Sequence, residues 1–492
     1  MPAIDTLRAL STEAAVVASS ASTLGWDQET YLPEQAHEWR ARQLAWLSGR
    51  AHELQTSKDW SEALEAALDE ADPKDERAVG SLREMKRRFD RSACLPPSLV
   101  ERESELTSHA KHAWTKAREQ SDFSLFAPHL KKLLELAREK AELWGYADEP
   151  YDALLESYER GATTAQVAGV FEELRPELIE IASEAVERSL KQSVLLPGGP
   201  YPVEGQKTFN REVARAFGFD FEKGRIDTTA HPFCTTLGPA DIRLTTRYDG
   251  NDFTSSLLGV MHEAGHGLYE QGLRSTDFGL PAGDSVSLGI HESQSRLWEN
   301  HVGRSRAFWE KWFPVASEHF PKLTSLSLDE FLSHLHRAEF SCIRVEADES
   351  TYDLHILLRF DLERRLVRGE LEVADVPVAW NEVFEASFGM TPPDDAHGCL
   401  QDIHWSMGGL GYFATYTLGN LNAAQLFEAA MADPGVSKAF HEADYLPLLD
   451  WMRSRVHDPG ATLDPSEIVR RATGAEPSAK AHLAHLRARY GS

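Results

Sequence analysis

The sequence predicts an all-α protein with one short β-ribbon. Apolar residues recur at i, i+3, i+4 and i+7 along most of the chain, which is the period of a helix with one buried face. The 492 residues are 42% hydrophobic and 26% charged, an ordinary globular composition that excludes a disordered chain. A chain of this length can bury a large core without disulfide bonds or structural metals to stabilise it.

The helical period is clearest in four early segments. They are RARQLAWLSGRAHELQ (residues 40–55), DWSEALEAALDEA (59–71), FAPHLKKLLELAREKAELWGY (126–146) and TTAQVAGVFEELRPELIEIASEAVERSL (163–190). In the second segment Asp59 is the predicted N-cap, because Glu62 follows three residues later and completes a capping-box pattern.

A long helical pattern also begins near Leu328. It runs through DEFLSHLHRAEFSCIRVEADE and leads into TYDLHILLRFDLERRLVRGE. Residues 423–492 again predict helices, separated at Pro434, Pro459 and Pro465, because proline lacks the N–H that a helix interior needs.

One stretch departs from this period. Residues 231–250, HPFCTTLGPADIRLTTRYDG, place β-branched and aromatic residues around a Gly-Pro turn signal, which predicts a short β-hairpin or ribbon. We find no repeat and no linker long enough to separate modules. We therefore expect one large helical unit over residues 1–492.

The charge balance is strongly acidic, with 51 Lys+Arg against 78 Asp+Glu and a net charge of −27. Without a net positive field to attract polyanions, we expect no nucleic-acid partner. The sequence contains no run of about 18 apolar residues, which is what a membrane-spanning helix needs. We therefore expect no membrane partner either.

Cysteine usage and the N-terminus indicate the compartment. The four cysteines are far apart and form no CxxC pair, which argues against a disulfide framework. They are Cys94, Cys234, Cys342 and Cys399. The apolar run AAVVA near the N-terminus is too short for a signal peptide, and no basic region precedes it. We therefore expect a cytoplasmic protein.

The chemistry concentrates at His262-Glu263-Ala264-Gly265-His266. Residues four apart share one helix face, so the two imidazoles can bind the same ion. Glu263 can then reach the metal-bound water as general base. The alternative is a pair of ordinary helix histidines with a surface glutamate.

A third ligand is needed, and the next candidates are His291 and Glu292. Both residue types bind metals, and a second helix commonly supplies the third ligand. They face different directions on a helix, so only one of them can be the ligand. Spacing alone does not choose between them, and a capping or solvated pair is the alternative.

Six ordered motifs extend the pattern. They are His231-Pro232-Phe233, Asp241-x-Arg243-x-Thr245, His262-Glu263-x-x-His266, His291-Glu292-Ser293-x-Ser295, Ile343-Arg344-x-x-Ala347-Asp348 and Gly398-x-x-Gln401-Asp402-x-His404-Trp405. Together they resemble the signature series of the carboxypeptidase Taq family of metallocarboxypeptidases. GWDQETYLPEQAHEWRARQLAWLS, YDALLESYERG and GYFATYTLGN are similar to that family too, so the resemblance covers essentially the whole chain. One departure is Ala414, where we expect proline.

The resemblance implies a fold and a metal. The family fold is an almost wholly helical, two-lobed saddle with a deep active-site cleft, and members are commonly homodimers. The short β-ribbon then lies beside the metal helix. The family's third ligand corresponds to Glu292, which joins His262 and His266 in a Zn²⁺ site where Co²⁺ can substitute. His291 becomes a supporting residue.

The resemblance also implies the reaction. The family's enzymes release single amino acids from peptides with a free C-terminal carboxylate, so we expect a carboxypeptidase of broad specificity with Glu263 as general base. The nearest rival is a zinc endo-oligopeptidase of related helical fold. A non-catalytic helical scaffold is a more distant alternative.

Arg344 is the expected anchor for the terminal carboxylate, because a guanidinium holds a carboxylate through a bidentate fork. On pattern alone, Arg344 and Asp348 lie four apart on one helix and could form a surface ion pair instead.

The ribbon supplies the other expected substrate contacts, His231 and Arg243. A short edge strand can pair with an extended peptide backbone. The alternative is that Arg243 and Asp241 lock a turn through a local ion pair.

His404, together with Tyr412 or Tyr416, is expected to stabilise the oxyanion that forms during hydrolysis. This expectation rests on analogy with related helical metallopeptidases. For either tyrosine, a core residue with a hydrated tip is the alternative.

Overall fold

The computed structural model of the chain describes residues 2–192 and 194–491. Within these residues helices dominate and the sheet is small, so the prediction of an all-α fold with one short β element is confirmed. The helices are α1 (Ala3–Thr30), α2 (His37–Gln55), α3 (Lys58–Glu70), α4 (Glu76–Ala93), α5 (Pro97–Gln120), α6 (Ala127–Trp144), α7 (Pro150–Leu155), α8 (Thr164–Gln192), α9 (Val203–Ala216), α10 (Phe253–Gly272), α11 (Leu288–Arg296), α12 (Arg306–His319), α13 (Leu328–Leu335), α14 (Tyr352–Arg368), α15 (Val376–Phe388), α16 (Ala414–Met431), α17 (Pro434–His441), α18 (Leu446–Met452), α19 (Pro465–Thr473) and α20 (Lys480–Tyr490). The strands are β1 (Gly224–Thr228), β2 (Cys234–Gly238) and β3 (Asp241–Thr246).

The chain forms two compact units, each assembled from three segments. Unit 1 contains Met1–Ser92, Val194–Leu335 and Asn422–Pro477, and unit 2 contains Ala93–Ser193, His336–Leu421 and Ser478–Ser492. Neither unit is therefore a sequential module. That the whole chain acts as a single domain stays a prediction.

Each unit has its own apolar core around a helix that is buried on several sides. In unit 1 this helix is α10, which buries Phe253, Leu257 and Leu268. In unit 2 it is α14, in which few side chains are exposed because other helices pack around it. Each of these two helices carries or adjoins the residues of a candidate site.

The sheet has the strand order β1-β3-β2, so β3 lies in the middle. Strand β2 pairs antiparallel with β3, as the predicted hairpin requires, while β1 pairs parallel with β3 and precedes the predicted stretch. Its sequence, GRIDT, lacks an apolar alternation, and Asp227 is instead held by Arg225 and by the hydroxyl of Tyr31. The strands at the sheet edges are therefore β1 and β2.

The helix predicted to run on from Leu328 is wrong in its middle part. Helix α13 ends at Leu335, and residues 336–351 contain only one short 3₁₀ turn, Arg344–Glu346. The carboxylate of Asp348 accepts the N–H of Glu339 at 3.0 Å, so a side chain takes a backbone donor that a helix would have used. Likewise, Gln401 Oε1 accepts the N–H of Arg344 at 2.8 Å.

Helix boundaries elsewhere follow local chemistry. Pro434 and Pro465 begin α17 and α19, as expected for proline in the first turn. The N-cap of α3 is Ser57, whose hydroxyl accepts the N–H of Trp60 at 3.2 Å, so the assignment to Asp59 is wrong by two residues. Among the described residues, no helix has the length and apolar character needed to cross a bilayer.

Candidate metal centre and arginine cluster

The candidate metal centre lies in unit 1, on two helices whose starts are fixed by side-chain caps. At α10 the Asp252 carboxylate accepts the N–H of Thr254 at 2.8 Å. At α11 the Ser287 hydroxyl accepts the N–H of Ile290 at 3.1 Å. The caps fix where each helix begins, and hence which side chains share a face.

His262 and His266 lie one turn apart on α10, and Glu292 faces them from α11. Oε2 of Glu292 is 3.8 Å from Nε2 of His262 and 3.6 Å from Nε2 of His266. One ligand atom from each of these residues lies within 4.8 Å of the other two. Two imidazole nitrogens and one carboxylate oxygen suit a first-row divalent ion, zinc included. The residues therefore fit the kind of metal that the resemblance implies.

Contacts behind the imidazoles determine which ring nitrogen faces the centre. Nδ1 of His262 is 2.9 Å from Oε2 of Glu299, and Nδ1 of His266 is 3.1 Å from the backbone oxygen of His291. A hydrogen bond at Nδ1 leaves Nε2 available for an ion. The side chain of His291 lies behind His266, with its Nδ1 2.6 Å from Nδ1 of His266 and its Nε2 2.9 Å from Oε1 of Glu270, and it is not part of the candidate ligand group.

The carboxylates around His262 make the centre attractive to a cation. Burial works against the charged form of His262, yet Glu292 and Glu299 outweigh it and raise the pKa of this imidazole to about 9. Arg296 holds both carboxylates in place, because its Nε donates to Glu292 at 2.7 Å and its Nη1 donates to Glu299 at 3.2 Å.

Glu299 belongs to a π-helical turn, Leu297–Val302, that follows α11 directly. Such turns within helices frequently occur at functional sites. Glu299 was not predicted from the sequence, although its position seven residues after Glu292, close to two helical turns, was a usable signal. Glu270, four residues after His266, was missed in the same way.

Gly265 allows the two helices of the candidate metal centre to approach closely. A Cβ atom at this position would lie 2.5 Å from the backbone oxygen of Gln294 and 2.6 Å from Cα of Ser295. Packed interiors do not accommodate such distances, and backbone atoms cannot rotate away. Glycine therefore lets α10 and α11 meet backbone to backbone, which brings Glu292 to the imidazoles.

Glu263 lies beside the ligand residues on α10 and is 6% exposed. Burial raises its pKa to about 7, while His262 opposes and Glu292 adds to the shift. A buried carboxylate with a raised pKa, next to candidate metal ligands, has the chemistry of a group that exchanges protons.

We expect Glu299→Ala to weaken metal affinity about 10- to 100-fold, because His262 loses the carboxylate that orients its ring. Glu299→Gln keeps a hydrogen-bond acceptor in the same place and should lose less metal affinity than Glu299→Ala. Metal titration against a competing chelator measures both variants, with Glu310→Ala, an exposed position of α12, as the matched control. Equal affinities for wild type and Glu299→Ala would contradict the role given to Glu299.

Unit 2 holds a buried charged cluster around Arg344. Nε and Nη2 of Arg344 donate to Oδ1 of Asp402 at 3.0 and 2.8 Å, and Nη1 donates to the Tyr352 hydroxyl at 3.0 Å. Nε of Arg359 donates to Oδ2 of Asp402 at 2.7 Å.

The alternative of a surface pair between Arg344 and Asp348 is therefore wrong, since Arg344 is 6% exposed and its charge partner is Asp402. Arg359 was not predicted from the sequence, because its partner lies 43 residues away.

The cluster carries one excess positive charge, because Arg344 and Arg359 share the single carboxylate of Asp402. Burial favours the neutral acid, but Arg359 and Arg344 hold the pKa of Asp402 well below its usual range. Of the five guanidinium N–H groups of Arg344, three are engaged by Asp402 and Tyr352. One N–H remains on each terminal nitrogen, and such a pair can bind a carboxylate.

Asp402→Asn is expected to destabilise the fold by about 3–5 kcal/mol at neutral pH, because two buried guanidinium groups lose their counter-charge. The pKa of this carboxyl is lower in the folded chain than in the unfolded chain, where it is about 3.9. The ionised Asp402 therefore contributes its full stabilisation at pH values above the pKa of the unfolded chain. This contribution declines as the pH falls below that pKa.

Urea titrations of wild type and Asp402→Asn at neutral pH and at about pH 3 measure this effect. The difference in the free energy of unfolding should narrow at the lower pH. Asp69→Asn, an exposed position of α3, is the control and should match wild type at both. A difference that widens towards acid would contradict the assignment.

Three further predicted residues lie close to Arg344 in unit 2. Nε2 of His404 is 3.4 Å from the Tyr416 hydroxyl, and the rings of His404 and Tyr412 are 5.0 Å apart. The Tyr416 ring centre lies 5.0 Å from Cζ of Arg344. Burial lowers the pKa of His404 to about 4, although Asp402 opposes the shift. The imidazole is thus neutral near pH 7 and keeps one N–H to donate.

His231 and Arg243, the other predicted substrate contacts, belong to unit 1. Nε and Nη2 of Arg243 donate to the two carboxylate oxygens of Asp241, each at 2.8 Å, and its Cζ lies 4.1 Å from the centre of the Trp26 ring. This geometry favours the local ion pair, and β3 is not an edge strand. His231 is exposed just before the edge strand β2, so its contact with a peptide stays a prediction.

The sequence is similar to one family of proteins along almost its whole length. Residues 6–490 match the family model described as carboxypeptidase Taq (M32) metallopeptidase. Thermostable carboxypeptidase 1 of Thermus thermophilus is 42% identical over 493 residues, which cover 98% of this chain and 96% of that protein. Carboxypeptidase 1 of Bacillus subtilis is 35% identical over 469 residues, which cover 95% of this chain and 94% of that protein.

The fold is similar to solved structures over the same length. The M32 carboxypeptidase from Deinococcus radiodurans R1 has a TM-score of 0.96 at 38% identity, with 100% of this chain and 99% of that chain covered. Metallocarboxypeptidase 1 of Trypanosoma cruzi has a TM-score of 0.95 at 34% identity, with the same coverage of 100% and 99%.

Proposed function

The chain belongs to the carboxypeptidase Taq (M32) family of metallopeptidases, and from this premise we propose that it releases single amino acids from the C-terminus of peptides in a zinc-dependent reaction of broad specificity. As the motif series predicted, it is a peptide hydrolase of the metallocarboxypeptidase class. The observation that carries the proposal is the ligand set of His262, His266 and Glu292, whose ligand atoms lie within 4.8 Å of one another.

His262 and His266 would hold the metal through Nε2, and Glu292 would hold it through a carboxylate oxygen. Bound there, zinc would supply Lewis-acid activation of water by lowering its pKa towards about 7. Co²⁺ suits the same donor set, so we propose that it can substitute. Glu299 and the backbone oxygen of His291 keep the imidazoles in the required tautomer.

Glu263 moves the proton in the proposed reaction. Its carboxylate takes a proton from the attacking water and later gives it to the nitrogen of the departing amino acid. Burial beside the ligand residues supports this role, because a reacting water there has few competing solvent molecules around it.

Arg344 binds the terminal carboxylate of the peptide in this proposal. The excess positive charge of its cluster and its two remaining N–H groups support the assignment. The Tyr416 hydroxyl, with His404 at 3.4 Å, donates to the oxygen on which negative charge develops, and Tyr412 is the second candidate for this contact.

His231 and Arg243 are proposed to guide the peptide backbone along the edge strand β2. The support for His231 is its exposure at the start of this strand. Arg243 would act indirectly, because Asp241 and Trp26 already occupy its guanidinium.

We also propose that the enzyme works in the cytoplasm as a homodimer, on peptides and without nucleic-acid or membrane partners. The net charge of −27 and the scattered cysteines support this location. The family resemblance supports the dimer.

Mass spectrometry of an unblocked peptide incubated with the enzyme tests the proposal. With zinc, and with cobalt after chelation, we expect a ladder of products that lose one residue at a time from the C-terminus. The same peptide with a C-terminal amide should resist cleavage. Internal fragments from both peptides would indicate an endopeptidase instead, and activity that survives complete chelation would exclude the metal.

A further inference from the structure

Three tyrosines of unit 2 form a row of rings that begins at Arg344, and we call Tyr416, Tyr412 and Tyr158 the tyrosine row. The Tyr416 ring centre is 5.0 Å from Cζ of Arg344. The Tyr412 ring is 5.4 Å from that of Tyr416, and the Tyr158 ring is 5.2 Å from that of Tyr412. Both contacts are edge-to-face, which is a favourable geometry for aromatic pairs.

Exposure separates the tyrosine row from the other rings near Arg344. Phe413 and Tyr352 lie 5.7 and 5.9 Å from the guanidinium carbon, but they are only 1% and 5% exposed. Every member of the tyrosine row is partly exposed. A ligand held by Arg344 can therefore touch the tyrosine row, whereas Phe413 and Tyr352 are covered by protein.

The two carboxylates whose charge acts on Tyr158 are already engaged. Glu363 is fully buried and accepts three hydrogen bonds from neighbouring groups. Glu103 is paired with Nζ of Lys140 at 2.6 Å. Both carboxylates already have hydrogen-bond or ion-pair partners that a basic side chain would have to displace, while the faces and edges of the rings suit an apolar side chain.

We propose that Tyr412 and Tyr158 bind the side chain of the substrate's C-terminal residue, so that the enzyme favours peptides ending in an aromatic or large aliphatic residue. The inference rests on the proposed function, which places the terminal carboxylate on Arg344. The side chain and the carboxylate of one amino acid leave the same Cα atom, so an anchored carboxylate brings the side chain to the neighbouring rings. Tyr412 then acts through its ring, and the oxyanion contact falls to the Tyr416 hydroxyl.

The expected preference is roughly three- to tenfold in kcat/KM for a C-terminal Phe over a C-terminal Ala, which corresponds to one aromatic pair. Peptides that differ only in their last residue (Phe, Leu, Ala, Lys or Glu) measure it with the metal-loaded wild-type enzyme. Phe and Leu should be released with the highest kcat/KM values.

Substitutions then separate the ring from the hydroxyl. Tyr412→Phe keeps the ring and should keep the Phe-to-Ala ratio of kcat/KM. Tyr412→Ala and Tyr158→Ala should bring that ratio down towards one. The control is Tyr146→Ala, a tyrosine of unit 2 that is 38% exposed, which should leave the ratio unchanged. Circular dichroism verifies the fold of each variant, and two independent positions protect the test against one that fails to fold.

A wild-type preference that both alanine variants reduce, with Tyr412→Phe retaining it, supports the inference. Equal kcat/KM for all peptides, or a preference that survives both alanine variants, overturns it while leaving the carboxypeptidase activity in place. A Tyr412→Phe variant that loses kcat equally for every peptide returns Tyr412 to the oxyanion contact and also overturns the inference. Absence of cleavage for every peptide overturns the proposed function and the inference together.

Discussion

Glu263→Gln is expected to lower kcat by about two to four orders of magnitude while the metal stays bound. The amide has nearly the shape of the carboxylate but cannot accept a proton from the attacking water. Glu263 is not among the residues that would hold the ion, which are His262, His266 and Glu292. The metal content should therefore match that of the wild type.

Elemental analysis and steady-state kinetics on an unblocked peptide measure the two quantities together. Glu318→Gln, an exposed position of α12, is the control and should change neither. Glu292→Gln should give a different pattern, with loss of metal as well as activity. Wild-type kcat in metal-loaded Glu263→Gln would remove this carboxylate from the mechanism.

Arg344→Met is the second substitution with a large expected effect, a fall in kcat/KM of roughly 30-fold to several thousandfold, mainly through KM. In this variant the terminal carboxylate of the peptide has no charged partner at a buried position. The variant should still fold, because Arg359 and Asp402 remain as a balanced pair. Removing Arg344 takes away only the excess charge.

Arg344→Lys separates charge from geometry, since an ammonium group keeps the charge but not the planar fork. Arg337→Met, at an exposed position seven residues earlier, is the matched control. The decisive readout is the ratio of kcat/KM for a free-acid peptide to that for its C-terminal amide. If Arg344→Met preserves the wild-type ratio, another group binds the carboxylate.

The helices were predictable from sequence because their signal is local. The apolar period of residues 163–190 reappears as α8, and Pro434 begins a helix where a break was expected. Residues 336–351 have a helical apolar pattern but do not form a helix, because Asp348 and Gln401 bind backbone donors there. Such side-chain competition depends on tertiary contacts that no local pattern contains.

The candidate sites divide in the same way. His262 and His266 could be paired from sequence because one helical turn joins them, whereas the choice of Glu292 over His291 came from the family resemblance. The bond between Arg344 and Asp402 spans 58 residues and has no periodic signature, so the pattern alone favours a surface ion pair between Arg344 and Asp348. The spacing of residues in the sequence predicts contacts within one helix, whereas contacts between elements are visible only in the folded chain.

The glycine at position 265 has a consequence for how the enzyme acquires its ion. Because α10 and α11 meet backbone to backbone there, the chain itself sets the separation between His266 and Glu292. The proposed ligands are thus assembled by packing, unlike those of small zinc domains that fold only around their metal. Loading and exchange should proceed on a finished fold, so the ion carried in the cell depends on which metals are supplied during the protein's lifetime and not only at its synthesis.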